Sequence, residues 1–415
     1  MNRERAALFG IVPVVLFLAM TGGVWGADNT FCLGCHQDEG LAKQDVRGRK
    51  VPLYVAEAEF KQSVHGKLSC TDCHKQIKDD AHAAGGKKVT GGVECGVCHE
   101  KVAKEYRQSL HAKAIMKGAE RAAHCYDCHG KHAIYAEKNQ KSMVNPSNIN
   151  KTCNRCHSDK DIVKEHALGT GPTPGDLFKT SVHAQTGEVT CASCHGSHVL
   201  RSLIDPQSTI FRSNVPHTCG VCHPDIMTEF DESIHGVLAA RGRSDSPTCT
   251  TCHGIHGIKT KIDPDSPVNE KRIAMTTCPQ CHAAERISKE YGITKGQVKS
   301  YYDSFHGLSY RGGDTFSANC ASCHGVHEIR SSSDPKSMIH KDNLQKTCGV
   351  CHPGASQNFA KGKIHTVASI SGEEFGEKFV GWVRVIYLIL IVCVIGGMTF
   401  FNFMDWLRKT IDRRP

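Results

Sequence analysis

The cysteines of this chain fall almost entirely into one pattern. Eleven times, two cysteines flank two other residues and a histidine follows the second cysteine directly. The sets are Cys32, Cys35 and His36; Cys70, Cys73 and His74; Cys95, Cys98 and His99; Cys125, Cys128 and His129; Cys153, Cys156 and His157; Cys191, Cys194 and His195; Cys219, Cys222 and His223; Cys249, Cys252 and His253; Cys278, Cys281 and His282; Cys320, Cys323 and His324; and Cys348, Cys351 and His352. Two thiols at this spacing add across the two vinyl groups of one porphyrin, and the adjacent imidazole then sits under the iron as its proximal ligand. Each CxxCH is therefore an attachment site for a c-type haem, eleven in all. The motifs use 22 of the 23 cysteines and leave only Cys393, so no thiols remain for a disulfide. Structural zinc also uses paired CxxC motifs, but it has no need of a histidine after every second cysteine.

If every iron is bis-histidine, eleven distal ligands are needed from the fifteen histidines outside the motifs. Six occupy a Ser-x-His slot or its C-terminal variant: His65, His111, His183, His235, His306 and His365. His132, His198, His256 and His327 follow a proximal histidine by three residues, as in His-Gly-x-His. Residues three apart on a turn share a face, so such a histidine cannot pass round its own porphyrin and is expected on a neighbouring haem. His82 is the candidate for the eleventh place, although it lies eight residues after His74 and departs from the pattern. His124, His166, His217 and His340 recur at no aligned position and are not expected to ligate. Met143 and Met338 share a slot, but Thr209 and Pro267 fill it elsewhere, so the repeat does not require methionine.

The elements that must position these ligands form a two-haem repeat: aromatic-x-x-Ser-x-His, CxxCH, usually Gly-x-His, an Asp-Pro-x-Ser turn, and a second CxxCH. It occurs five times, with motif-to-motif distances of 25, 28, 28, 29 and 28 residues, after a lone haem motif at Cys32. From the last haem histidine of one repeat to the next distal histidine the intervals are 12, 26, 12, 24 and 13, alternately short and long. This divides the chain into a leading single-haem segment (27–60), a four-haem block (61–157), a linker with a second four-haem block (158–282), and a linker with a final two-haem unit (283–378). Short helices are expected at Ile162-Val-Lys-Glu-His and Ile287-Ser-Lys-Glu-Tyr in the linkers. Elsewhere the Gly, Asp-Pro and Asn-rich stretches predict short helices and irregular loops around haem rather than strands. The expected fold class is mostly irregular and α-helical, cored by haem, with one transmembrane helix.

Only 39% of the 415 residues are hydrophobic and 7% aromatic, so the polypeptide is short of core and the cofactors must supply buried apolar surface. The formal charge of +9 omits two propionates per haem. With those counted and the leader removed, the mature protein carries roughly −14 with ferrous and roughly −3 with ferric irons, which argues against nucleic-acid binding. Arg3 and Arg5, the apolar stretch 6–20 and the small residues around Trp25 make a signal peptide over 1–26. At the other end, Val385 to Met404 is twenty residues without a charge, enough for a bilayer core. Trp382 and Trp406 mark its interfaces. Arg408, Lys409, Arg413 and Arg414 follow, as a cytoplasmic tail requires. A transmembrane helix over 379–406 with a tail over 407–415 would hold the haem domain on the periplasmic face of a bacterial inner membrane.

Phe60-x-x-Ser-Val-His, Cys191-Ala-Ser-Cys-His-Gly-Ser-His and Thr347-Cys-Gly-Val-Cys-His together resemble the doubled-CxxCH multihaem c-type cytochromes of respiratory bacteria that reduce metals or other extracellular acceptors. The resemblance spans about residues 30–366 and implies bis-histidine haems and periplasmic electron transfer. The C-terminal anchor with its basic tail also resembles subunits of membrane quinol-oxidising complexes, in which a b-type partner holds the quinone site. Its position departs from that in N-terminally anchored tetrahaem quinol dehydrogenases. The expected function is to carry electrons from a quinol-oxidising membrane subunit, a b-type cytochrome, to periplasmic cytochromes, with no catalytic residues of its own. A multihaem reductase or oxidase of a small nitrogen or sulfur compound would instead need one iron with an open distal position.

Overall fold

A computed structural model describes residues 29–44, 48, 50–77, 92–165, 171–359, 364–365, 369–371 and 375–411. The signal peptide, His82, His166 and the end of the basic tail lie outside the described residues. As the composition predicts, the protein is mostly short helix and irregular chain. Among the described residues its one sheet is the two-stranded hairpin Ala42–Gln44 and Lys50–Pro52, antiparallel with Lys43 opposite Val51.

The chain forms two compact units, residues 1–104 with 125–145, and residues 105–124 with 146–415. In the first, the hairpin is sewn to the leading motif. Val55 N–H donates to the His36 carbonyl (2.7 Å) and Leu53 N–H to Leu41 (2.9 Å). The second contains a train of helices of three to twelve residues and, at its end, the 37-residue helix Phe375–Ile411. That helix is long and apolar enough to span a membrane. The two expected linker helices are present as Lys160–Glu165 and Glu285–Tyr291. Each turns an apolar face inward: Ile162 and Val163 are buried in one, Ile287 in the other.

Side-chain packing alone does not explain the fold. Among the described residues the buried hydrophobic side chains are Leu33, Ala112, Ile162, Val163, Ala239, Ala274, Ile287 and Tyr310, fewer than the buried Ser, Thr and Asn. At about 25 cal/mol per Å² of apolar surface removed from water, so small a set cannot offset the entropy of ordering this chain. What recurs instead is hydrogen bonding by small polar side chains. Ser142, Ser208, Ser266 and Ser337 are buried in the Asp-Pro-x-Ser turns or their equivalent. Each hydroxyl donates to the carbonyl seven residues earlier, at 3.2–3.4 Å. Asn214 and Asn343 close the same turns by donating to Pro206 and Pro335 (2.8 and 2.7 Å).

Candidate haem-binding sites

The Ser-x-His slot is a helix N-cap. Ser109, Ser181, Ser233 and Ser304 precede the helices Leu110–Met116, Val182–Thr186, Ile234–Ala240 and Phe305–Arg311. Each serine oxygen accepts the N–H of the third helical residue, at 2.9–3.2 Å. The hydroxyls of Ser181, Ser233 and Ser304 also donate to the carbonyl of the aromatic residue three before, Phe178 (2.8 Å), Phe230 (2.6 Å) and Tyr301 (2.6 Å). The aromatic-x-x-Ser-x-His motif is thus a buried cap that fixes the second helical residue, the histidine. Sequence reading singled out the histidine and missed the serine's role, although N-cap preference was a signal that could have shown it.

The first motif of a repeat is also capped. The N-cap N–H of Ser69, Thr190, Thr248 and Asn319 donates to the side chain of Asp72, Ser193, Thr251 and Ser322 (2.8–3.1 Å). These caps open the one-turn helices Cys70–Cys73, Cys191–His195, Cys249–His253 and Cys320–His324. The following glycine, at 196, 254 and 325, has φ of +76 to +83°, a region that favours glycine. It ends the helix and turns the second histidine of His-Gly-x-His away from the first.

The second histidine consequently does not oppose its own neighbour. His132 faces His74, His256 faces His195 and His327 faces His253, with ring centroids 6.2, 5.9 and 6.1 Å apart; His365 faces His324 at 6.2 Å. His195 is therefore met by His256 and not by His198. The Ser-x-His ligand candidates face the second motif of their own repeat. These pairs are His65 with His99 (5.9 Å), His111 with His157 (6.2 Å), His183 with His223 (6.3 Å), His235 with His282 (6.1 Å) and His306 with His352 (6.2 Å).

These nine spacings fit a metal between the rings. An imidazole centroid lies about 1.1 Å from its nitrogen and an imidazole–metal bond is about 2.0–2.1 Å, so two rings across one metal stand about 6.2–6.4 Å apart. Burial also holds many of these rings neutral. It pushes His235 down to about 4 and, with the charge of His365 adding to it, His324 likewise. Burial lowers His74, His132, His157, His183, His195, His253, His256, His282 and His365 too. A neutral ring keeps the lone pair that ligation needs. His36 Nδ1 meets the Leu53 carbonyl at 2.8 Å, which ties one ring nitrogen to the backbone and leaves Nε2 for a metal. Likewise His365 Nδ1 meets Ser300 Oγ at 2.9 Å. Of the histidines outside the pattern, His217 is exposed, and His340 lies beside Asp342 (3.5 Å).

The cysteines connect consecutive motifs in alternation. The first cysteine of a second motif touches the first cysteine of the next: Cys32 with Cys70, Cys95 with Cys125, Cys153 with Cys191, Cys219 with Cys249, and Cys278 with Cys320. Within a repeat the second cysteine lies near the following motif: Cys73 near Cys95, Cys194 near Cys219, Cys252 near Cys281, Cys323 near Cys348. Burial pushes Cys70 up to about 11, while the hydrogen bond to Cys153 pulls Cys191 down to about 7.

Repeats are also clamped backbone to backbone. The residue after the cap serine donates its N–H to the carbonyl two residues beyond the distal histidine of the following repeat. The bonds are Val64 to Ile134, Leu110 to Leu200, Val182 to Ile258 and Ile234 to Ile329, all 2.8–2.9 Å. Beside the clamp sits a basic side chain with a carboxylate four residues on: Arg201 with Asp205 (3.0 Å), Lys259 with Asp263 (3.3 Å), Arg330 with Asp334 (3.1 Å).

The chain is similar to known multihaem proteins. It is 26% identical over 352 residues to the high-molecular-weight cytochrome c of Nitratidesulfovibrio vulgaris, covering 78% of this chain and 56% of that protein. It is also 26% identical over 228 residues to the multiheme cytochrome MtrA of Shewanella baltica, covering 51% of this chain and 58% of the relative. The chain thus spans a little over half the length of either relative. No family model matches it, and no solved structure does. Attachment motifs, metal-spaced imidazole pairs and these similarities together support a multihaem c-type cytochrome.

Proposed function

We infer that this chain is an undecahaem wire, anchored by its C-terminal helix to the inner membrane, that takes electrons from a quinol-oxidising membrane subunit and delivers them to periplasmic cytochromes. The observation that carries this reading is the set of nine facing imidazole pairs at one metal-sized spacing. An iron held on both faces has no position for a substrate, which favours electron passage over bond-making chemistry.

When bound, haem supplies one-electron oxidation and reduction at the iron; the chain supplies position. Proximal and distal imidazoles would hold nine of the haems from both sides. His198 takes a distal role by its place in the repeat. His82 is proposed for the remaining place, at the Cys32 motif. Paired imidazoles lack the potential-raising effect of a methionine ligand, so low and closely spaced potentials are expected. The touching cysteines support transfer in sequence order along residues 32–129 and along residues 153–352, because haems attached at neighbouring cysteines would lie close to one another. The twenty residues 385–404 carry no carboxylate, imidazole or amine to take a proton from a quinol. Quinol oxidation therefore falls to a partner, and a multispanning b-type cytochrome is the fitting class.

The purified full-length cytochrome should not be reduced by menaquinol in detergent when no other membrane protein is present. Adding membranes that contain the partner should restore reduction. Direct menaquinol-dependent reduction of the chain alone would place the quinol site on this polypeptide and overturn the assignment.

A further inference from the structure

The geometry points to a second contact with the bilayer, made by the last repeat rather than by the helix: Phe305, Leu308 and Phe316 form a lipid-facing patch that lays this repeat on the membrane surface. The proposal rests on the reading of Phe375–Ile411 as a membrane span.

The first support is comparison between repeats. In the fourth repeat the loop before the first motif is polar and paired. There Asp245 accepts from Tyr291 Oη (2.5 Å) and meets Arg286 (3.2 Å), and Arg243 pairs with Glu290. The equivalent of Asp245 in the fifth repeat, 71 residues on, is Phe316, whose side chain is 96% exposed. The loop is held in shape. Asp314 accepts the Phe316 N–H (3.0 Å) and the Ser309 hydroxyl (2.9 Å), and Ser317 donates to the His306 carbonyl (3.0 Å). Phe316 is thus carried on a built turn. On the helix whose His306 carbonyl Ser317 meets, Phe305 is 82% and Leu308 52% exposed; Phe305 stands where the earlier repeats have Val64, Leu110, Val182 and Ile234, each clamped to a following repeat.

The second support is position. Arg384, the last charged residue before the uncharged run, forms an ion pair with Asp303 at 3.7 Å. Asp303 is two residues from Phe305. The 37-residue helix is about 55 Å long, well beyond a 30 Å hydrocarbon core, so its first turns stand out of the lipid on the side of the haem repeats. Arg384 and Trp382 then lie at the interface, and the ion pair brings the apolar patch to the same level. Aromatic side chains are favoured at that level because burial in the interface removes their apolar surface from water. A lipid surface is the occupant that continuity with the span favours; a protein partner would leave the patch free of lipid.

The test uses the haem-loaded full chain in nanodiscs containing phosphatidylcholine with a photoactivatable group in its acyl chain, followed by proteolysis and mass spectrometry. Lipid adducts are expected on residues 305–316 as well as on the 375–411 helix, with the equivalent residues 234–245 unlabelled. Phe316→Asp should lower labelling of 305–316 by about tenfold or more while helix labelling stays. Adducts on the helix but no more on 305–316 than on 234–245 would overturn the patch and leave the span standing. An unlabelled helix would overturn the span and the patch with it.

Discussion

Replacing His256 should open the iron attached at Cys191 and Cys194, not the one attached at Cys249 and Cys252 three residues before it. His256 stands 5.9 Å from His195 with the two rings only 14° apart in plane, which leaves about 3.7 Å between facing nitrogens, close to two imidazole–metal bonds. His253 is met instead by His327. His256→Gly should therefore convert one iron in eleven from low-spin to high-spin, about a tenth of the ferric spin integrated by electron paramagnetic resonance. The attribution follows from a second variant. Adding Cys191→Ala and Cys194→Ala removes the haem expected to be open, so the high-spin signal should vanish and ten low-spin haems remain. If it persists undiminished, His256 serves another iron and the exchange of ligands between repeats is wrong.

Intact mass of the mature chain should show eleven covalent haems, and nine or fewer would sink the attachment reading. Among the described residues the ring planes of facing pairs run continuously from 14° at His195 with His256 to 59° at His65 with His99. Relative ring orientation sets how two imidazoles donate into the iron d orbitals, so low-temperature spectra should show a spread of low-spin signals; one sharp uniform signal would contradict this geometry. Ser233→Ala removes a cap and leaves the Phe230 carbonyl without its hydroxyl partner, which should cost about 1–3 kcal/mol in chemical denaturation. An unchanged midpoint would deny the cap its role in holding His235. Truncation before Val380 should release a soluble, haem-loaded domain that reacts with small redox partners but not with membrane quinol, as redox spectroscopy with and without membranes will show.

Much of this protein is written in local sequence because its chemistry is local. Two thiols reach two vinyl groups only at a short fixed spacing, so CxxCH marks haem attachment without reference to the rest of the chain. The same holds for the twenty uncharged residues 385–404, whose length alone matches a bilayer, and for the linker helices around Ile162 and Ile287. The recurrence of Ser-x-His and His-Gly-x-His likewise marks candidate ligands, and steric reach forbids His256 from the iron above its own His253.

Which iron each histidine meets instead was not legible, because that depends on where intervening chain returns. His74 and His132 are 58 residues apart and His253 and His327 are 74 apart; only the tertiary path brings them face to face. That path is held by backbone clamps such as Val64 to Ile134 and Ile234 to Ile329, which have no signature of their own, while the positive-φ glycines 196, 254 and 325 and the buried serines recur in the repeat without showing which distant segment they face. Backbone hydrogen bonds between distant segments form with any side chain, so residue types do not announce them. Composition and spacing therefore mark the chain as one that binds c-type haem and single out its attachment motifs; only tertiary structure brings imidazoles of neighbouring repeats face to face.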